Sequence, residues 1–237
     1  MPVPAPTCLV VKMTHAALNH RDLFIRQQLY PNIAFETPLL SDGCGLVVGA
    51  GSTELEQRWL NKRIVLNPGR GWHSAPEGPE EEYRILGGTK GCSLGTLQEY
   101  LAVEASEVEE APEHLSSVEA AGLPLAGLTA WRAVVTKSGN AERGRNILIT
   151  GIGGGVALMA LQFAKARGCN VFVTSGDDNK LKTALAMGAR GGVNYKSERW
   201  EKELKEKLPK DKGWFDAIID GAGGNVVEKG IKLLKVS

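Results

Sequence analysis

The segment Asn146-Ile147-Leu148-Ile149-Thr150-Gly151-Ile152-Gly153-Gly154-Gly155-Val156-Ala157 constrains this chain more than any other. Four apolar or β-branched residues run into a cluster of glycines, and a helical pattern follows directly. A pyrophosphate group needs bare backbone N–H groups at the positive end of a helix, where side chains would hold it off. The strict GxGxxG spacing is not met, because Val156 stands at the third glycine position. The looser pattern Gly151-x-x-Gly154-x-x-Ala157 fits, and Ala157 is small enough for close packing of helix on sheet. A glycine cluster alone is a weak signal, and its context decides what it means.

That context is a βαβ rhythm. From residue 145 onward, strand-like runs at 146–150, 171–174, 192–195 and 215–220 alternate with helical stretches at 155–168, 179–188 and 198–208, the last with Trp200, Leu204 and Leu208 on one face. Such alternation predicts a parallel sheet. Four strands can be counted, where a complete doubly wound dinucleotide fold has about six in the order 3-2-1-4-5-6. The site residues expected from the glycine turn are Gly151, Gly153, Gly154, Gly155 and Val156.

The end of the second strand selects among nucleotides. An acidic residue about twenty residues beyond the glycines would grip the ribose 2′-hydroxyl of NAD and repel the 2′-phosphate of NADP. Here the sequence reads Thr174-Ser175-Gly176, with Lys180 close behind. Ser175 and Lys180 favour NADPH; Asp177 and Asp178 keep NADH open.

The first half differs in texture. Up to about residue 103, Gly and Pro interrupt short apolar runs at 8–13, 46–48, 64–66 and 97–103, which predicts a β-rich lobe with frequent turns. Between residues 115 and 135 the spacing turns helical, with Ser116 or Ser117 placed to cap the helix that enters Glu119-Ala120-Ala121. The expected organisation is therefore a β lobe over 1–115 and a dinucleotide-binding domain over 116–237.

Composition excludes several classes. With 28 basic against 27 acidic residues the net charge is +1, too small for a field that would hold nucleic acid or an anionic membrane. No stretch reaches membrane-spanning length and the first residues lack a signal-peptide pattern, so a cytoplasmic location is the expectation. Cys8, Cys44, Cys92 and Cys169 are far apart, and neither they nor the four histidines show metal-ligand spacing. Gly91-Cys92-Ser93-Leu94-Gly95 matches the GxSxG hydrolase pattern, but it lacks the preceding strand and following helix of a nucleophile elbow.

Together with the glycine turn, four further motifs make the chain resemble the medium-chain dehydrogenase/reductase superfamily, in its zinc-independent, quinone-oxidoreductase-like branch. They are Ala17-Leu18-Asn19-His20-Arg21-Asp22, Ser41-Asp42-Gly43-Cys44-Gly45, Gly95-Thr96-Leu97-Gln98-Glu99-Tyr100, and Ala120-Ala121-Gly122-Leu123-Pro124-Leu125-Ala126-Gly127-Leu128-Thr129-Ala130-Trp131. The resemblance implies an α/β architecture: a GroES-like β-barrel lobe, then a Rossmann domain, with a small-molecule substrate held between them.

It also implies departures. Zinc-bearing relatives carry Cys, His and Cys where this chain has Asn19, Asp42 and Leu125, so no catalytic zinc is expected. Without that Lewis acid, a conjugated acceptor such as a quinone or enone becomes the expected substrate, since hydride adds at carbon while hydrogen bonds assist the oxygen. Carried over by motif, Asn19 and Tyr30 line the substrate cleft, Thr129 lies toward the nicotinamide, and Tyr195 lies near the adenosine phosphate. A tyrosine found in many relatives is Phe24 here. Arg21 and Asp22 are expected to form a structural ion pair. Relatives are longer at both ends, so the resemblance implies a shortened chain whose fourth Rossmann strand is an exposed edge, of marginal stability alone, and a homodimer in the full-length form. Two classes follow: an NADPH-dependent reductase, or a catalytically silent isoform that binds only nucleotide or a partner.

Overall fold

The computed structural model describes residues 1–235. The chain divides into two compact units, Met1–Leu125 and Ala126–Ser237.

The first unit is built on a five-stranded antiparallel sheet of β1 (Cys8–Ala17), β2 (Asp42–Ala50), β3 (Arg63–Leu66), β6 (Tyr100–Glu104) and β7 (Val108–Glu110), in the order β6-β1-β2-β3-β7. A short hairpin of β4 (Gly69–Arg70) and β5 (Arg84–Ile85) stands apart from it. Strand β1 runs four residues beyond its apolar stretch. Its second half is mostly exposed and is held by pairing with β2 through two register shifts, so side-chain alternation never marked it. Leu9, Val11, Val47, Ile64, Leu66, Leu101 and Val103 form the main core, closed at one end by Trp59 of α2 (Thr53–Trp59). The short helix α1 (His20–Arg26) follows β1.

The division between units falls ten residues later than the 115/116 boundary expected from sequence. Helix α3 (Ser117–Ala121) starts at the capping box of Ser116 and Glu119, and its Ala120 and Ala121 pack with Cys44, Val65 and Ala111 of the β-rich unit. A helical pattern identified the element but not the core it joins. Helix α4 (Pro124–Trp131) continues as a π-helical stretch, Arg132–Lys137.

The second unit holds β8 (Asn146–Ile149), β9 (Asn170–Ser175), β10 (Gly191–Asn194) and β11 (Ala217–Ile219), all parallel, in the order β10-β9-β8-β11. In order of appearance this is 3-2-1-4, the first four places of the doubly wound order. Helix α5 (Gly155–Ala166) buries Ala157, Ala160, Leu161 and Ala164 on the sheet with Ile147, Ile149, Val171 and Val173. The Trp200, Leu204 and Leu208 face of α7 (Trp200–Glu206) and its C-terminal extension packs with Phe172 and Phe215 in a second core. Between them lies α6 (Asp178–Ala186), and α8 (Val226–Gly230) follows β11. The fourth strand is less bare than expected: Phe215, just ahead of β11, forms a parallel bridge with Leu234, its N–H donating to Leu233 O at 2.8 Å.

Candidate functional site

Two constellations, one in each unit, carry the chemistry. In the second unit, β8 ends at Ile149 and the chain turns through Gly151 to Gly154 into α5. Gly154 is the N-cap residue and supplies no side-chain cap, so the first-turn N–H groups of α5 are open to a ligand. Gly153 has φ +113°, a backbone conformation that favours glycine, and a Cβ there would fall 2.6 Å from Cδ of Lys180. The turn is tied to the second strand: Ile152 N–H donates to Thr174 O at 2.8 Å, and Gly151 N–H to Thr174 Oγ1 at 3.3 Å. On its other side, the Thr150 hydroxyl bonds the Asp220 carboxylate and accepts from Gly221 N–H at 3.2 Å.

Around this turn lies a cavity of about 290 Å³ lined by Gly151, Ile152, Ser175, Gly176, Asp177, Lys180 and Tyr195. Four of the expected cofactor residues, Gly151, Ser175, Lys180 and Tyr195, are thus brought to one cavity from the glycine turn, the end of β9, α6 and the residue after β10. Gly153, Gly154, Gly155 and Val156 lie on the same turn and the start of α5. Ile152, Gly176 and Asp177 are added by the structure. Gly176 was readable as a glycine closing a buried strand, and a Cβ there would stand 2.6 Å from the Tyr195 hydroxyl. Asp177 caps α6 by accepting from Asn179 N–H at 2.8 Å, and Asp178 accepts from Asn194 Nδ2 at 2.9 Å. Ser175 is buried, whereas Lys180 is exposed. A bare helix end, a glycine cradle and an exposed ammonium fit a phosphorylated nucleotide.

In the first unit, Asn19 and Leu125 converge on one carboxylate, that of Asp42. Asp42, the first residue of β2, is 1% exposed. One of its oxygens accepts from Asn19 Nδ2 at 2.9 Å and the other from Leu125 N–H at 3.0 Å. Leu125 is the second residue of α4, so Asp42 satisfies an N–H that the helix cannot pair itself. Burial pushes the Asp42 carboxyl up to about 6, and the Asn19 and Leu125 hydrogen bonds oppose that rise only in part. Asn19 is the N-cap of α1, where it forms a capping box with Asp22, whose carboxylate accepts its backbone N–H at 2.7 Å. The donor set for a metal is therefore one carboxylate with both oxygens engaged, one carboxamide and one alkyl side chain.

Arg21 and Asp22 are both buried, 3.8 Å apart, and Arg21 Nη1 donates to Leu86 O at 2.8 Å and Gly87 O at 3.1 Å. Tyr30 is held by the Arg21 guanidinium, 4.8 Å from its ring centroid. His20 and Phe24 stack on α1 with ring centroids 4.7 Å apart. Thr129 is exposed on α4. Gly91 to Gly95 lies in turns and irregular chain between β5 and β6, without the strand and helix of a nucleophile elbow.

Comparison with known proteins accounts for both units. Residues 5–113 match the alcohol dehydrogenase GroES-like domain, and residues 155–237 match the family described as zinc-binding dehydrogenase. The zinc-type alcohol dehydrogenase-like protein YogA of Leptosphaeria maculans is 52% identical over 99% of this chain and 67% of its own length. A solved NAD-dependent alcohol dehydrogenase superposes with a TM-score of 0.83 at 33% identity, over 98% of this chain and 68% of its own. The quinone oxidoreductase of Coxiella burnetii superposes with a TM-score of 0.75 at 25% identity, over 99% of this chain and 67% of its own. The chain thus spans about two thirds of the length of each. With a GroES-like unit, a parallel-sheet nucleotide fold and homology across nearly its full length, it belongs to the medium-chain dehydrogenase/reductase superfamily of oxidoreductases.

Proposed function

We propose that this chain supplies the nucleotide-holding and acceptor-binding residues of an NADPH-dependent reductase that passes hydride to a quinone, enone or similar conjugated carbonyl without zinc. The observation that carries the reading is the Asp42 clasp. The Asn19 amide turns its nitrogen, which has no lone pair to give a metal, toward Asp42, a leucine side chain has none either, and a single carboxylate is left as the one anionic donor. These residues do not fit a tetrahedral zinc ion. A carbonyl reduced directly would lose the several kcal/mol that a Lewis acid supplies. A conjugated acceptor spreads the developing charge, so hydrogen-bond donors suffice. The likeness to a quinone oxidoreductase points the same way.

The nucleotide supplies the hydride when bound; the chain's own residues hold it. The open N–H groups of α5 take the pyrophosphate. Lys180 and Tyr195 take the 2′-phosphate, the first as a charge and the second as a hydroxyl donor. Asp177 is engaged as the cap of α6, which reduces its competition for that place. On the acceptor side, Asn19 donates an amide hydrogen to the carbonyl oxygen as charge develops, while Tyr30 lines the pocket and Thr129 contacts the nicotinamide.

The test is absorbance loss at the nicotinamide band when NADPH and a quinone or enone are added to purified protein, alongside thermal shift with NADPH and with NADH. Turnover that survives a chelator, with a larger shift for NADPH, is the expected result. Turnover that appears only with added zinc overturns the zinc-free reading. A shift without turnover leaves nucleotide binding and removes the reductase.

A further inference from the structure

The acceptor-binding reading leaves open what holds the Asn19 amide in a productive orientation. A carboxamide has a donor end and an acceptor end of nearly equal size, and a substrate oxygen is served only by the first. We propose that Asp42 is a positioning residue that keeps the donor end of Asn19 available, acting as a fixed acceptor buried between α1 and the start of α4. The inference rests on Asn19 touching the acceptor, as proposed above.

Asp42 is 1% exposed and bridges Asn19 Nδ2 at 2.9 Å and Leu125 N–H at 3.0 Å, so it joins residues 106 positions apart in sequence, from Asn19 to Leu125. Its own backbone is pinned too, since Thr96 Oγ1 donates to Asp42 O at 2.7 Å. An ionised carboxylate has no hydrogen to give, so only the NH2 end of Asn19 can face it. Asp22 holds the Asn19 backbone, accepting its N–H at 2.7 Å. One Nδ2 hydrogen is then used by Asp42, and the second has no protein partner among the described residues. That hydrogen is the one available to an acceptor oxygen.

In Asp42→Asn, the new side chain keeps an oxygen on Leu125 N–H and turns an NH2 toward Asn19, so the Asn19 amide must turn over. The shape is conserved, and the nucleotide residues all lie in the other unit. The expected result is a fall in kcat of about tenfold to a hundredfold, with KM changed little and the thermal shift with NADPH retained. The acid limb of kcat should change as well. The wild type should lose rate as pH falls through about 6, where Asp42 gains a proton. Arg21 and Asp22 on α1 are the charged groups acting on it, while Asn19, Thr96 and Leu125 are neutral. The limb disappears in Asp42→Asn.

The exchanged pair, Asn19→Asp with Asp42→Asn, separates positioning from mere structure. It restores a donor facing an acceptor and should recover the melting temperature, yet the carboxylate now at position 19 has no hydrogen for substrate and kcat stays low. Side-chain amide spectra give a readout that needs no turnover: the Asn19 NH2 signals of the wild type should titrate near pH 6, and those of Asp42→Asn should not. Wild-type kcat in Asp42→Asn, restored kcat in the exchanged pair, or Asn19 signals that ignore both pH and the substitution would each overturn the proposal. Asn19→Ala with unchanged kcat would instead overturn the acceptor-binding reading, and the amide spectra would still judge the clasp.

Discussion

Asp42 in the first unit and Asp216 in the second are the same side chain, each carboxylate shielded from solvent though the Asp216 residue is only half-buried, and they are driven in opposite directions. Asp216 stands between β8 and β11. It accepts from Asn146 N–H at 2.7 Å and faces Lys212 at 2.7 Å and Arg145 at 3.0 Å. Burial would raise its carboxyl, but the Lys212, Asn146 and Arg145 contacts outweigh it and hold the carboxyl below the usual range. Asp42 meets only neutral donors directly, and burial wins. Cationic partners make a buried carboxylate a structural anchor, whereas neutral donors leave one poised to exchange a proton.

The contrast can be broken most directly through pH. Since the folded carboxyl of Asp42 titrates at about 6 against 3.8 ordinarily, its contribution to stability is complete below pH 3.8 and is lost as pH rises through 6. The expected size is about 3 kcal/mol. Urea unfolding at pH 4 and pH 7 should show this component in the wild type and not in Asp42→Asn; an equal change in stability between the two pH values in both proteins would show that the Asp42 carboxyl is not raised by folding.

Asp216 should behave in reverse. Its folded carboxyl lies below 3.8, so its contribution is present above that value and is lost as pH falls through the depressed folded value. Asp216→Ala leaves the Asn146 N–H and two cations without their acceptor. Part of the cost is screened, because Arg145 and Lys212 are 37% and 22% exposed. A loss of about 2 kcal/mol in chemical denaturation at pH 7 is expected, with kcat unchanged in the protein that remains folded. A drop in kcat would mean that the two carboxylates do not divide anchoring and positioning between them.

The smallest effect concerns the nucleotide cavity. Lys180→Ala should weaken NADPH by about tenfold, or about 1.4 kcal/mol, and leave NADH nearly as in the wild type. Titration calorimetry with both nucleotides decides it. Equal losses would show that Lys180 serves the pyrophosphate rather than the 2′-phosphate, in keeping with its chain lying against Gly153.

Much of the second unit was legible because its signals are local. Strand, glycine turn and helix follow one another within residues 146–166, Ser116 sits three places before Glu119, and Trp200 and Leu204 recur at helical spacing to form one buried face. The first unit was less so. The exposed half of β1 carries no apolar alternation, and the packing of Ala120 and Ala121 depends on residues as distant as Cys44.

By itself, then, the sequence determined the βαβ order and the glycine turn between β8 and α5, since each depends on residue type and near-neighbour spacing. Only the tertiary structure decided that Asn19, Asp42 and Leu125 meet at one buried carboxylate, and that Ser175, Lys180 and Tyr195 share a cavity with the turn. Such meetings depend on strand register and helix packing, and the protonation of Asp42 depends in turn on which donors that packing places beside it.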